Sequence, residues 1–355
     1  MISGRLIPAL FAALCLVRPA AADPAHLDTI LQPYADKGAF SGVVRVAVGG
    51  KVVLDRGYGM ANREWSIANT PDTKFRIGSI TKQFTAAAIF RLQEQGKLDI
   101  NDRLKKYVPD VPAAWADVTL YQLLTHTSGI PDFFYVPGFD ALKSRAVGPS
   151  ELIGLVRDKP LGFAPGSKWN YSNTGYDFLG LIIEKLSGQR YAAYIDDNFL
   201  KPLGMSDTGY DEAAPVLPRR AAGYVREKDI VRNAGYIDVS VLYAAGGLHS
   251  TTADLMKWAK ALYGGQVLSP ASLKRMTAPF IATEMPGADY ACGLFVQKIG
   301  GHTGIGHPGF IDGFNAEIVS IPDEEMTIVV LANISGPEPV LWASLLAKAA
   351  LEGSR

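Results

Sequence analysis

The sequence predicts an α/β (α+β) fold: one sheet built from both termini, flanked by helices, with a mostly helical region inserted between its two halves. Three observations predict it. Valine-rich runs on either side of a glycine pair stand near the start, in "SGVVRVAVGGKVVLDRGYG". Apolar, strand-like runs return in the last third, in "CGLFVQKI", "FNAEIVSIP" and "EMTIVVLANI". Between them, apolar residues recur at helical spacing and the segments stop at glycines. Strands at both ends with helices between suggest a sheet to which both ends of the chain contribute.

Each element has its own signal. A short helix is expected over Ala25 to Lys37, and Gly49-Gly50 marks a hairpin between two valine-rich strands. Ser79 to Gln95 reads as a helix, with Ile80, Phe84, Ala87, Ala88 and Leu92 near helical spacing and Gly96 as its stop. "TLYQLLTHTSG" is a short helix ending at a glycine, and "TGYDFLGLIIEKLSG" and "TADLMKWAKALYGG" are amphipathic helices. "PVLWASLLAKAALEG" closes the chain as a helix. Residues 131 to 170 are rich in proline, glycine and aromatics, and so long an irregular stretch reads as a functional loop or lid. No internal repeat or low-complexity tract interrupts the chain.

The chain has 355 residues, enough for one large domain, and its 35 Lys+Arg balance its 35 Asp+Glu. With no basic stripe, nucleic acid and anionic membrane are not expected partners. The first residues, "MISGRLIPALFAALCLVRPAAADPAH", combine Arg5, a short apolar run from Leu6 to Val17 and the small residues Ala20-Ala21-Ala22. That is the three-part pattern of a secretory signal peptide over 1–22, leaving a single domain over 23–355 that is secreted or periplasmic, with no membrane segment after signal removal. Cys15 falls in the removed segment, so Cys292 alone remains, and neither an intrachain disulfide nor a cysteine-rich metal site is expected. Cys292, inside an apolar run, reads as a small core residue.

Three short patterns bear on chemistry. In "FRIGSITKQF", Ser79 stands at a helix start with Lys82 one turn on. Either Ser79 is a helix cap and Lys82 a solvated first-turn residue, or the ammonium and the electropositive helix start make Ser79 a nucleophile. In "WNYSNTGY", Tyr171 is a candidate general base beside a lysine, and Asn173 offers a donor and an acceptor for an amide; loop anchoring and helix capping are the alternative roles. "GGHTGIGHPGFIDGF", ahead of a strand, holds two His-x-Gly triplets, at His302 and His307. Such a strand can orient substrate through main-chain groups and a cationic or hydrogen-bonding edge.

In this order the three patterns resemble the serine hydrolases of the β-lactamase and penicillin-binding-protein superfamily, closest to the class C branch with its D,D-carboxypeptidases and esterases. The similarity runs from about Leu27 to the C-terminus and includes "VTLYQLLTHTSGIPDF", "PLGMSDTGY" and "AAGGLHSTTADLMKWAKAL". It implies a β-lactamase/transpeptidase-like antiparallel sheet, with a sheet lobe over about 27–78 plus 285–355 and a helical lobe over about 79–284. It implies Ser79 as acylated nucleophile, Lys82 and Tyr171 sharing proton transfer, and Asn173 holding the substrate amide. The oxyanion would sit between the backbone N–H groups of Ser79 and Phe310. No cofactor or metal is implied, and the partner is a small-molecule or peptide substrate.

The third motif is placed at His307-Pro308-Gly309, because Gly313-Phe314 and Pro322 then fall where the family has its glycine-aromatic pair and strand-ending proline. His302-Thr303-Gly304 is the competitor. Pro308 lacks the hydroxyl that helps relatives bind a substrate carboxylate, which favours an ester or other amide over a D-alanine terminus or a penicillin. The class A Glu-x-x-Leu-Asn motif is not present. His126 is given no catalytic role, Asp99 and Asp102 read as surface or capping residues, and Phe133-Phe134-Tyr135 are equally compatible with core and cleft. The alternative to an enzyme is a catalytically silent penicillin-binding sensor or scaffold module of the same fold.

Overall fold

Gly49 and Gly50 both adopt positive φ, 56° and 71°, which L side chains rarely accept, and the chain turns back there between β1 (Gly42–Val48) and β2 (Lys51–Tyr58). In this computed structural model, which describes residues 24–336 and 342–353, the other edge of β1 is taken by a strand from the far end of the sequence. The expected signal peptide lies outside the described residues.

The last third supplies β3 (Ile281–Ala282), β4 (Ala288–Tyr290), β5 (Phe295–Ile299), β6 (His302–Ile311), β7 (Phe314–Ile321) and β8 (Met326–Ala332). The eight-stranded order is β3-β4-β5-β6-β7-β8-β1-β2, every pair antiparallel. β8 joins the two ends by pairing Ala332 with Gly42 and Ile328 with Val46.

Strand alternation sends residues to opposite faces, and both faces of the central strands are covered. Val44, Val46, Ile328 and Val330 pack with Leu27 and Leu31 of α1 (Pro24–Asp36) and with Trp342 and Leu346 of the C-terminal helix, Trp342–Gly353. Val43, Val329 and Leu331 belong to the larger core on the other side, with Phe84, Phe90 and Trp258. Burial on both faces is why "TIVVLA" is continuously apolar rather than alternating.

The larger core is centred on α2 (Thr81–Glu94), in which every residue from Thr81 to Phe90 is buried. Around it lie α3 (Leu120–Leu124), α4 (Asn173–Ser187), the four-residue α5 (Tyr243–Gly246) and α6 (Thr252–Tyr263). Thr119 and Gln122 form a reciprocal capping box at the start of α3. The 131–170 stretch is less irregular than its composition suggests: it contains a 3-10 turn at Phe133–Tyr135 and short helices at Phe139–Leu142 and Pro149–Gly154. Both His-x-Gly triplets lie inside β6 rather than ahead of a strand.

The C-terminal helix is fastened by a buried carboxylate. Glu317 of β7 accepts from the Ala343 N–H at 2.7 Å and the Ser344 hydroxyl at 2.8 Å. Burial pushes its carboxyl up from 4.5 to about 7, against these hydrogen bonds. The folded state therefore holds this proton to higher pH than the unfolded chain. The contribution of Glu317 is full below pH 4.5 and is lost as pH rises to about 7. Glu317→Gln should remove that segment of the pH–stability curve. In urea unfolding at pH 5 and pH 8, the wild type should lose up to about 3 kcal/mol more than the variant. Parallel curves for the two proteins would contradict the assignment.

Candidate active site

Ser79 lies in a 3-10 turn, Gly78–Ile80, between the short strand Phe75–Arg76 and α2. It caps nothing: the residues at the cap positions are Ile77 and Ile80, and neither makes a side-chain cap bond. The turn is held from behind by Leu248–Ser250, which pairs with Phe75–Arg76 and accepts the Ile77 N–H at Leu248 O, 3.0 Å.

Lys82 is not a solvated first-turn residue. Its side chain is fully buried. Its Nζ lies 3.2 Å from Ser79 Oγ, 2.8 Å from Asn173 Oδ1 and 2.8 Å from the Ala245 carbonyl. The ring centres of Tyr171 and Tyr176 are 4.6 and 5.3 Å away. Burial brings its pKa down to about 7, although the nearby Asp132 and Asp177 carboxyls pull it up. The partners explain what a neutral amine would do here. Asn173 Oδ1 and Ala245 O only accept, so they take the two hydrogens of –NH2, and the lone pair is left for the Ser79 hydroxyl.

Ser172, not Asn173, caps α4, accepting the Gly175 N–H. Asn173 is the first residue of the helix, and its amide orientation is fixed by its neighbours. Oδ1 accepts from Lys82, and Nδ2 donates to Asp132 Oδ2 at 2.9 Å. One Nδ2 hydrogen remains for a substrate. Asp132 also accepts the N–H groups of Asn173 and Phe134, and burial raises its carboxyl above the usual range. Asp177, one turn further along α4, is fully buried, and burial pushes its carboxyl well above that range.

Tyr171 faces Ser79, yet its hydroxyl closes no hydrogen bond of good geometry. Burial drives its pKa far up, with the Ser79 contact a smaller opposing effect. A resting phenolate base, one of the roles the sequence suggested, does not fit this environment, in which burial favours the neutral hydroxyl. Its ring lies 4.2 Å from that of His126, centre to centre.

His307 lines the Ser79 cleft, whereas His302 stands at the far end of β6, paired with Glu324 at 3.1 Å. The sequence allowed His307 a cationic edge. Burial and the Lys82 charge instead bring its pKa down to about 3. Nε2 lies 3.0 Å from Tyr290 Oη and Nδ1 2.5 Å from Pro308 O, so both ring nitrogens have partners inside the protein.

Gly309 brings β6 against the nucleophile turn: a Cβ there would lie 2.0 Å from Ile77 O and 3.3 Å from Ser79 N. Gly78, at φ 49°, leaves room for Phe310, whose backbone N would be 3.0 Å from a Cβ at that position. The backbones of Ser79 and Phe310, the two donors expected of an oxyanion hole, are thus brought together. The cleft holds about 340 Å³ and is walled by Phe134, Tyr135, Leu242, Met285, Phe295 and Phe310. Of the aromatic trio, Phe133 goes to the core and the other two to the cleft. A larger cavity of about 410 Å³ opens elsewhere, around Glu184 and Tyr243. We place the chemistry in the smaller one because Ser79 lines it.

A Beta-lactamase family model matches residues 27–351. The chain belongs to the beta-lactamase family. Among its relatives is the Bacillus subtilis penicillin-binding protein PbpX, 32% identical over 298 residues, or 84% of this chain and 71% of that one. The octameric penicillin-binding protein homologue from Pyrococcus abyssi superposes with a TM-score of 0.81 at 31% identity, covering 93% of this chain and 77% of that one. A D-stereospecific amidohydrolase from Streptomyces sp. superposes at 0.78 with 26% identity, covering 94% and 98%. Serine hydrolysis of amide bonds is the chemistry this family membership supports.

Asp132, Asp177, Tyr290 and the Ala245 carbonyl were not visible as site groups in the sequence. Asp177 alone had a local signal, being one helical turn from Asn173. Among the described residues, no helix is long and apolar enough to cross a membrane.

Gly309→Ala should force β6 off the nucleophile turn. The expected loss is roughly 1–3 kcal/mol of stability, typical of overpacking, together with slower acylation of Ser79. Differential scanning calorimetry and fluorophosphonate labelling measure the two, and an unchanged labelling rate would contradict the proposed contact.

Proposed function

We propose that this protein is an exported serine hydrolase that opens amide or ester bonds through an acyl-enzyme on Ser79. The observation that carries the reading is the Lys82 amine, buried 3.2 Å from Ser79 Oγ with its two other partners able only to accept. Export is supported by the three-part pattern of residues 1–22. Amide substrates are supported by the likeness to the D-stereospecific amidohydrolase.

In the first half-reaction, Ser79 Oγ bonds to the substrate carbonyl carbon while Lys82 Nζ takes the hydroxyl proton. The backbone N–H groups of Ser79 and Phe310 receive the developing oxyanion, an interaction worth roughly 10²–10³ in rate for a single donor. The remaining Asn173 N–H orients the acyl group. The bond to the leaving nitrogen or oxygen then breaks, and the Tyr171 hydroxyl gives its proton to that atom and recovers one from Lys82. In the second half-reaction water attacks the ester, its proton passes to Lys82, and Ser79 leaves with a proton returned from the same group.

Because neutral Lys82 is the working base, kcat/KM should rise about tenfold per pH unit below about 7 and level off above it. Lys82→Arg, which keeps a permanent charge, should lower kcat/KM by at least about 10³. Incubation with a fluorophosphonate, a fluorescent penicillin and a short-chain nitrophenyl ester gives the direct test. Mass should be added at Ser79, absent in Ser79→Ala, with turnover of the ester. No labelling by any of the three overturns the reading, and penicillin labelling without turnover of any substrate favours a binding module instead.

A further inference from the structure

A chain of hydrogen bonds crosses the back of the cleft from the Tyr171 segment to β6. Ser172 N–H donates to His126 Nδ1 at 3.1 Å. His126 Nε2 lies 3.1 Å from Tyr290 Oη, which lies 3.0 Å from His307 Nε2, and His307 Nδ1 lies 2.5 Å from Pro308 O. Both ends are main-chain groups, so their directions are fixed: the Ser172 amide only donates and the Pro308 carbonyl only accepts. With neutral rings, one set of protons satisfies all four contacts. His126 carries its proton on Nε2 and donates to Tyr290. Tyr290 donates to His307 Nε2, and His307 carries its proton on Nδ1. Burial holds both histidines neutral, His126 well below its usual value and His307 near 3.

We infer that Tyr290 is a specificity-determining residue: by occupying His307 Nε2 it leaves the cleft-lining part of β6 with no side-chain donor for a substrate anion, so the cleft takes acyl substrates whose leaving group is uncharged. The inference rests on the acyl-enzyme reading above. It draws on three further features. Position 308, beside His307, is a proline and has neither hydroxyl nor N–H to offer. Among the described residues, those that line the cleft include no arginine or lysine, Lys82 lying behind Ser79 with its Nζ engaged by Asn173 and Ala245. Tyr290 itself is fully buried and packs edge-on against Phe295, centroids 4.8 Å apart at 90°, contacts that a rotation away from the imidazole would have to break.

The substrates that follow are neutral amides, esters or thioesters with apolar or aromatic groups, matching the walls formed by Phe134, Phe295 and Phe310. Anionic leaving groups would be desolvated against those walls without a compensating partner.

Two benzoylglycyl thioesters test this, one of mercaptoacetamide and one of mercaptoacetate, which differ only in a terminal carboxamide or carboxylate. Rates are normalised to hydroxide-catalysed hydrolysis. The wild type should prefer the carboxamide by about 10- to 100-fold in kcat/KM, the weight of one missing charge-assisted hydrogen bond. Tyr290→Phe, which leaves His307 Nε2 free to take up a second proton opposite a bound carboxylate, and Pro308→Thr, which adds a hydroxyl, should each narrow that ratio several-fold. Nitrogen-15 NMR of the histidine side chains in wild type gives a readout that a purely structural role for Tyr290 would not move. His307 should be protonated on Nδ1 alone at neutral pH, and in Tyr290→Phe its Nε2 signal should shift. Equal use of both thioesters, or an imidazolium at His307, overturns the tyrosine inference while leaving the acyl-enzyme intact. Failure of both thioesters to acylate Ser79 rejects the acyl-enzyme reading itself.

Discussion

The burial of Lys82 is the constraint on which the rest of the site depends. An ammonium withdrawn from water costs several kcal/mol unless it is compensated, and here the compensation is partial. The amine has three polar neighbours, two tyrosine faces and two buried carboxyls near it, and burial still brings its pKa down to about 7. Each neighbour arrives on a different element. Asn173 opens α4 behind the Ser172 cap. Ala245 lies in α5, which the chain enters through Tyr243 at φ 32° and ψ −119°. A non-glycine residue held there is strained. The strained turn aims two successive carbonyls at α2: Ala244 O at Thr85 Oγ1, 2.7 Å, and Ala245 O at Lys82 Nζ, 2.8 Å.

The cleft is a seam between the nucleophile turn and β6, and two devices of opposite kind keep it in register. One is the absence of side chains: Gly78 and Gly309 let the backbones of the turn and the strand touch. The other is a buried polar chain, in which His126, Tyr290 and His307 join the Tyr171 segment to that same strand. His126, at φ 57°, is itself in a conformation that favours glycine or a residue with strong local bonds. Its tilted ring contact with Tyr171 and its bond to Tyr290 account for its position there. A histidine that local sequence marks only as a helix-end residue is thus a joint between two walls of the site.

Much of the fold was legible because its signals are local or periodic. The glycine pair in the hairpin, the valine-rich strands at both ends and the helices ending at Gly96 and Gly188 are all visible within a few residues. The ordered triplets at Ser79, Tyr171 and His307 were legible through resemblance. What local sequence left open has a physical reason. Ser79 could equally be a cap and Lys82 a solvated residue, because local sequence does not say that a helix start will be buried on every side. Asp132, the Ala245 carbonyl and Tyr290 touch groups 41, 163 and 164 residues away, in the Asn173–Asp132, Lys82–Ala245 and His126–Tyr290 contacts, and no period links such positions. The choice between His307 and His302 rested on downstream spacing. In the structure it is the residue facing the Ser79 cleft, with Tyr290 beside it, that distinguishes them.

The central claim is that Lys82 is neutral for much of the time at physiological pH because it is buried. The most direct measurement is an NMR titration of the protein labelled with carbon-13 at the lysine ε position, with Lys82 assigned by its loss in Lys82→Arg. The account predicts one lysine signal titrating near pH 7, well below the ordinary value of about 10.4 for a free lysine. A Lys82 signal that stays protonated through pH 9 would contradict it.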